Sequence, residues 1–178
     1  MRAFIALDLP YEIKNFITVQ LFSLKQKFRY EDIKWVETQN YHLTFRFFES
    51  IEKDIALNKF RMMKEKMNYV VPVSIQIVQH LGFFYSNDRI RVIFLILEPE
   101  EFFFEIYKVV KEFFGSDRFT PHVTVGRVRK SLTTAQENFL KEFTIEHISF
   151  FPREIALFRS ELTPLGPVYH KLDSFVWK

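Results

Sequence analysis

The sequence predicts an α+β fold whose strands pair mostly antiparallel, with helices set between groups of strands. Three observations predict it. Short segments with alternating apolar and polar residues recur along the chain, several separated by hairpin-like spacings. Amphipathic stretches of helical period lie between them. No Gly-x-Gly-x-x-Gly or Walker loop is present, so nucleotide-cradling parallel folds lack their main element. A chain of 178 residues fits one domain over 1–178, or two small lobes sharing one core.

Residues 2–8 form a buried strand. Pro10 opens a helix that carries Ile13, Phe16, Ile17, Leu21, Leu24 and Phe28 on one stripe. Ile33–Val36 is a short strand, and after a Gln39-Asn40 turn Tyr41 to Phe47 alternate strongly. Ser50 is placed to cap a second helix, with Ile55, Phe60, Met63 and Met67 at helical spacing. Val71–His80 and Ile90–Leu97 read as strands around a polar turn at Ser86-Asn87-Asp88. A third helix follows Pro99, with Phe102, Phe103, Ile106, Val110 and Phe114 among its inner residues and Gly115 as a left-handed stop. Pro121 starts a strand from His122 to Val128, and Thr133–Glu142 form a short helix. The last 35 residues read as strands broken by Pro152 and by the Pro164-Leu165-Gly166-Pro167 turn.

Composition narrows the function classes. The longest unbroken apolar run, Val92 to Leu97, is far short of the ~20 residues that cross a bilayer. Asp8 interrupts the N-terminal apolar run too early for a signal-peptide core. With no Cys there is neither a disulfide framework nor a thiolate metal site. A soluble, cytoplasmic, monomeric protein is expected. The net charge of +3 tolerates an anionic partner such as a phosphate ester, but the basic residues are scattered among acids as on any solvated surface.

The chemistry concentrates in two short segments. In Tyr41-His42-Leu43-Thr44-Phe45-Arg46-Phe47, strand alternation puts the four apolar residues on one face and His42, Thr44 and Arg46 on the other. A base, a hydroxyl and a fixed cation share that second face. Eighty residues later, Phe119-Thr120-Pro121-His122-Val123-Thr124-Val125-Gly126-Arg127 repeats the pattern. Arg127 has the wrong parity to join His122 and Thr124, and a bulge at Gly126 is expected to bring it round. With nine Thr in the chain, two of the five His would gain a Thr at i+2 by chance in roughly a few per cent of such sequences. His147-Ile148-Ser149 has a related form but no Arg on its polar face, and His80 and His170 lack a hydroxyl at i+2. These three read as surface or packing residues.

Two His can hold opposite protonation states near neutral pH, one taking a proton from an attacking oxygen and one giving a proton to a leaving oxygen at phosphorus. Thr hydroxyls and an Arg can stabilise charge on the non-bridging oxygens. No third ligand at a recognisable spacing accompanies the two His, so neither a metal nor another cofactor is expected.

At these residues the chain resembles the 2′-5′ RNA ligase-like RNA 2′,3′-cyclic phosphodiesterases of the two-histidine (2H) phosphoesterase superfamily. The similar segments are Arg2 to Pro10, Lys34-Trp35-Val36 with Asn40 to Phe45, Arg118 to Thr124 with Arg127, and the tail around Phe158 to Leu162 and Gly166 to Tyr169. The resemblance implies a bilobal α+β fold, with two mostly antiparallel sheets in pseudo-twofold relation flanking a central cleft and helices outside. It implies His42 as proton donor, His122 as proton acceptor, and Thr44, Thr124 and Arg127 as phosphate holders, with Arg46 as a further substrate cation. The reaction implied is opening of an RNA 2′,3′-cyclic phosphate to a 2′-phosphate, and some relatives join RNA ends through a 2′-5′ bond without ATP. The chain departs from the family pattern where Glu49 replaces a usual Gly after the first motif. Two alternatives stay open: an RNA-end binding module with little catalysis, or the same chemistry on a small cyclic phosphate such as ADP-ribose 1″,2″-cyclic phosphate.

Overall fold

The computed structural model describes all 178 residues. Nine strands, β1 (Ala3–Asp8), β2 (Ile33–Trp35), β3 (His42–Phe48), β4 (Ile75–Ser86), β5 (Arg89–Glu98), β6 (Val123–Val128), β7 (Ile148–Phe150), β8 (Glu154–Thr163) and β9 (Gly166–Val176), are joined with four helices. The helices are α1 (Tyr11–Lys25), α2 (Lys53–Met67), α3 (Glu100–Phe114) and α4 (Thr134–Glu142).

All strand pairs are antiparallel, in the order β7-β4-β5-β6-β3-β1-β8-β9, with β2 attached to β6. The two expected lobes are visible as two four-stranded halves, β7-β4-β5-β6 and β3-β1-β8-β9. They are not separate sheets. A single residue pair, Leu43 with Val123, joins β3 to β6 and makes one continuous sheet.

Each strand of the seam has one face in the main core. Leu43, Phe45, Val123 and Val125 are buried there with Ile5 and Leu7 of β1 and Ile93 and Leu95 of β5. The helices bury their stripes in the same core. Ile13, Ile17, Leu21 and Leu24 do so on α1, and Phe102, Phe103, Ile106, Val110 and Phe114 on α3. At about 25 cal/mol per Å² of apolar area buried, this shared core is what holds the two halves in register. No helix is long and apolar enough to cross a membrane.

Local signals explain most boundaries. Thr133 accepts a hydrogen bond from the Gln136 backbone N–H, and the Gln136 side chain accepts from the Thr133 N–H, closing a capping box at α4. Gly115 ends α3 at φ 77°, a conformation open to Gly at no steric cost. Asn87 and Asp88, at φ 49° and 58°, form the two-residue turn between β4 and β5. Two expectations fail. Helix α2 begins after Glu52 with no side-chain cap, so Ser50 lies outside it, and Ile55 faces solvent while Ala56 takes the buried position. Strand β4 starts later than expected and runs on through Leu81-Gly82-Phe83-Phe84 to Ser86, because β5 supplies partners along that whole length.

Candidate active site

The seam puts the two motifs together. Leu43 and Val123 are the middle residues of His42-Leu43-Thr44 and His122-Val123-Thr124, and they are the paired residues. In an antiparallel ladder their neighbours are then set crosswise, His42 toward Thr124 and Thr44 toward His122. Leu43 and Val123 point into the core, so all four polar side chains emerge on the opposite face. There they line one cleft of about 770 Å³, together with Arg127 and Tyr169.

A β-bulge follows each motif. On β3, Thr44 pairs with Ala6 and Arg46 with Ile5, leaving Phe45 as the extra residue. On β6, Thr124 pairs with Phe94 and Gly126 with Ile93, leaving Val125 as the extra residue. The Val36 N–H takes up the freed Val125 carbonyl at 2.9 Å. Each bulge reverses the alternation beyond it. Arg127 is thereby brought into the cleft as expected, although the extra residue is Val125 rather than Gly126. Gly126 serves another need. A Cβ there would lie 2.9 Å from the Trp35 ring, which packs over this paired position.

The same reversal corrects the placement of Arg46. Straight alternation put it beside His42 and Thr44, but the Phe45 bulge turns it to the other face. There it pairs with Asp117 at 2.6 Å and lies over Phe48, outside the cleft lining. Phe47 takes the cleft position instead, the counterpart of Arg127 on the other strand.

Both imidazoles are fixed in the same way. His42 Nδ1 lies 2.7 Å from the Asn40 carbonyl and His122 Nδ1 lies 2.6 Å from the Thr120 carbonyl. A carbonyl only accepts, so Nδ1 carries the proton in each ring and Nε2 is left for chemistry. Phe4 stacks on His42 at 4.8 Å and Tyr169 meets its edge at 5.4 Å. Phe84 and Phe94 pack against His122 at 4.9 and 5.2 Å.

Burial against these rings is the main reason both His titrate below the ordinary range, His42 at about 4. Asp8, paired with His42 across β1 and β3, favours its imidazolium while Lys14 and His122 act against it, and Arg127 disfavours the imidazolium of His122. Asp8 is held by Lys14 at 2.6 Å, and Lys14 also donates to the Gln39 carbonyl at 2.9 Å. Thr44 and Thr124 are half-buried, while Arg127 is exposed.

Several contributors escaped the sequence reading. Asp8 had a signal, an acid ending an otherwise buried strand. Arg2, Trp35 and Tyr169 also line the cleft; each falls in a segment that resembles the family, but neither spacing nor charge pattern marks it as a cleft residue. The remaining His lie elsewhere. His147 is exposed just before β7, with Nε2 3.4 Å from the Ser149 hydroxyl. His80 bridges to Thr144, and His170 pairs with Glu161 at 3.0 Å. No group of three or more His, Asp or Glu side chains is gathered in a way that could hold a metal ion.

No protein-family model matches the chain. Curated relatives do. An RNA 2′,3′-cyclic phosphodiesterase of Methanothermobacter thermautotrophicus is 30% identical over 183 residues, covering 98% of each chain. One of the same name from Methanocaldococcus jannaschii is 28% identical over 98% of this chain and all of its own length. Among solved structures, TT0787 of Thermus thermophilus superposes with a TM-score of 0.77 at 24% identity, covering 99% of this chain and 97% of its own. E. coli LigT, in a complex with ATP, gives 0.74 at 19%, covering 98% and 96%, which speaks for the fold. With its two His-x-Thr motifs meeting at one seam and relatives matching it end to end, the chain belongs to the RNA 2′,3′-cyclic phosphodiesterase family.

Proposed function

We propose that the protein hydrolyses the 2′,3′-cyclic phosphate at RNA ends to a 2′-phosphate by acid–base catalysis between His42 and His122, without a metal. One observation carries the reading: the Leu43–Val123 pair sets both imidazoles and both Thr hydroxyls on one cleft face, with each Nε2 free.

In this scheme His122 Nε2 accepts a proton from water as the water oxygen bonds to phosphorus. The P–O3′ bond breaks, and His42 Nε2–H gives its proton to O3′. The product keeps phosphorus on O2′ and a free 3′-hydroxyl. Thr44, Thr124 and Arg127 donate to the non-bridging oxygens, where charge accumulates. The donor and acceptor roles are those the family resemblance implies; Asp8 beside the donor and Arg127 beside the acceptor support them, and Lys14 beside Asp8 acts the other way. Burial opposes protonation of His42, and an anionic phosphate bound between the rings works against that opposition. Joining of RNA ends through a 2′-5′ bond is the same path with the 5′-hydroxyl of an incoming chain in place of water: its oxygen bonds to phosphorus as His122 takes its proton, and the P–O3′ bond breaks with His42 protonating O3′.

The test uses RNA ending in a 2′,3′-cyclic phosphate, in EDTA, with the product position read by ³¹P NMR. The wild type should yield the 2′-phosphate, and His42→Ala and His122→Ala should each lose ~10²-fold or more. Turnover retained in either variant rules out the paired acid–base roles. An RNA-end binding module would bind the end and leave it intact.

A further inference from the structure

We infer that Arg2 forms a second anion subsite in the cleft, one that takes the phosphodiester on the 5′ side of the terminal nucleotide. The inference rests on the phosphodiesterase reading above and deepens it.

The two halves of the sheet match strand for strand, and the bulges extend the match to individual residues. Arg127 comes two residues after the extra residue of β6 and faces the cleft. The position two residues after the extra residue of β3 is Phe47, which also faces the cleft but carries no charge. The Arg2 guanidinium lies on that ring, 4.5 Å from its centroid. A cation thus stands on both sides of the seam, directly from β6 on one side and by stacking on β3 on the other.

Arg2 is held rather than loose. Its Nη1 bonds Glu49 at 2.9 Å, and its backbone carbonyl accepts from the Ser160 N–H on β8, also at 2.9 Å. Its Nε is buried without any partner. A fixed guanidinium with unused donors, lining a cleft, is suited to a phosphate oxygen. Arg2, Arg127 and Tyr169 all line this one cleft.

Its place and the way it is held decide which anion it meets. Phe47 is three residues beyond Thr44 on β3, and strand rise carries it about 10 Å from the seam. Arg127 stands equally far along β6, but no ion pair holds it and its charge reaches His122, whereas Glu49 holds the Arg2 guanidinium out on the Phe47 ring, where it fits the next phosphate of the chain. Lys34 also lines the cleft, but it pairs across from Arg127 on the other half of the sheet, away from Phe47. A cyclic mononucleoside phosphate has no second phosphate, so only an oligonucleotide end would use Arg2.

The experiment compares kcat/KM on adenylyl-adenosine 2′,3′-cyclic phosphate with that on adenosine 2′,3′-cyclic phosphate. In Arg2→Gln the ratio of the two should fall roughly tenfold or more, the scale of a lost hydrogen bond to a charged group. Glu49→Gln removes the competing carboxylate and should move the ratio the other way. Both substrates are read on the same preparation, so a partly unfolded variant lowers both rates and leaves the ratio alone. An Arg2→Gln ratio equal to that of the wild type overturns the subsite while leaving the phosphodiesterase reading intact. A wild type that turns over neither substrate removes that reading and the subsite with it.

Discussion

Replacing His42 by Gln should make the protein less sensitive to acid, even though the substitution abolishes the proposed donor. The folded protein keeps His42 neutral down to about pH 4, because Phe4 and Tyr169 cover the ring. In the unfolded chain the same ring takes up a proton below pH ~6.5. A group whose pKa is lowered by folding favours the folded state above the unfolded value, and that advantage drains away as pH falls toward the folded one. The window here runs from about 6.5 down to about 4. At ~1.36 kcal/mol per pH unit, His42 alone costs about 2.5 kcal/mol by pH 4.5. The assay is urea unfolding of wild type and His42→Gln at pH 7.5 and 4.5, compared as a double difference. Carboxylates titrate in both proteins and cancel, as does the packing change at residue 42. The wild type should lose about 2.5 kcal/mol more than the variant between the two pH values. Equal losses would refute the claim that burial, rather than a local hydrogen bond, dominates this site.

Three further outcomes follow from the same geometry. Because both His titrate below 6.5, the pH profile of kcat/KM should peak on the acid side of 6.5, and a maximum at or above pH 7 contradicts the burial argument. Asp8→Asn removes the carboxylate that favours the His42 imidazolium, so the acid limb should move to lower pH and kcat/KM at pH 7 should drop several-fold; an unmoved limb excludes that role. Gly126→Ala forces a methyl to within 2.9 Å of the Trp35 ring, and should cost ~1–3 kcal/mol in urea unfolding along with weaker substrate binding as Arg127 shifts; unchanged stability would mean that Trp35 moves aside freely.

The sequence made the site legible through alternation. Leu43 and Val123 point to the core, and their neighbours must point away, so the two His-x-Thr faces could be read without coordinates. The helices were legible because a stripe such as Phe103-Ile106-Val110-Phe114 has no other apolar use. What alternation cannot report is its own interruption. An extra residue leaves no mark in composition, so alternation puts Arg46 in the cleft and Phe47 on the opposite face, and the Phe45 bulge exchanges them. The mismatch of Arg127 with Thr124 does demand a bulge, although its extra residue is Val125 and not the glycine. Gly126 is instead a clearance for Trp35, a neighbour 91 positions away, and pairings of that range are not written locally. Asp8 ends β1 and Arg2 immediately precedes it, and the role of each depends on which strands flank β1, which only the whole sheet fixes.

The single Leu43–Val123 pair has a further consequence. An axis of near-symmetry drawn through it exchanges one His-x-Thr with the other, so the centre of the cleft is ambidextrous. A cyclic phosphate is not, since one ribose oxygen leaves and the other stays. The handedness of the reaction must therefore be written at the periphery, where the halves differ: Asp8 on one side, Arg127 on the other, and Phe47 with its borrowed cation where symmetry would have put a second arginine. For the proposed reaction, exchanging those outer residues between the halves, with both histidines kept, is the change expected to turn the substrate round.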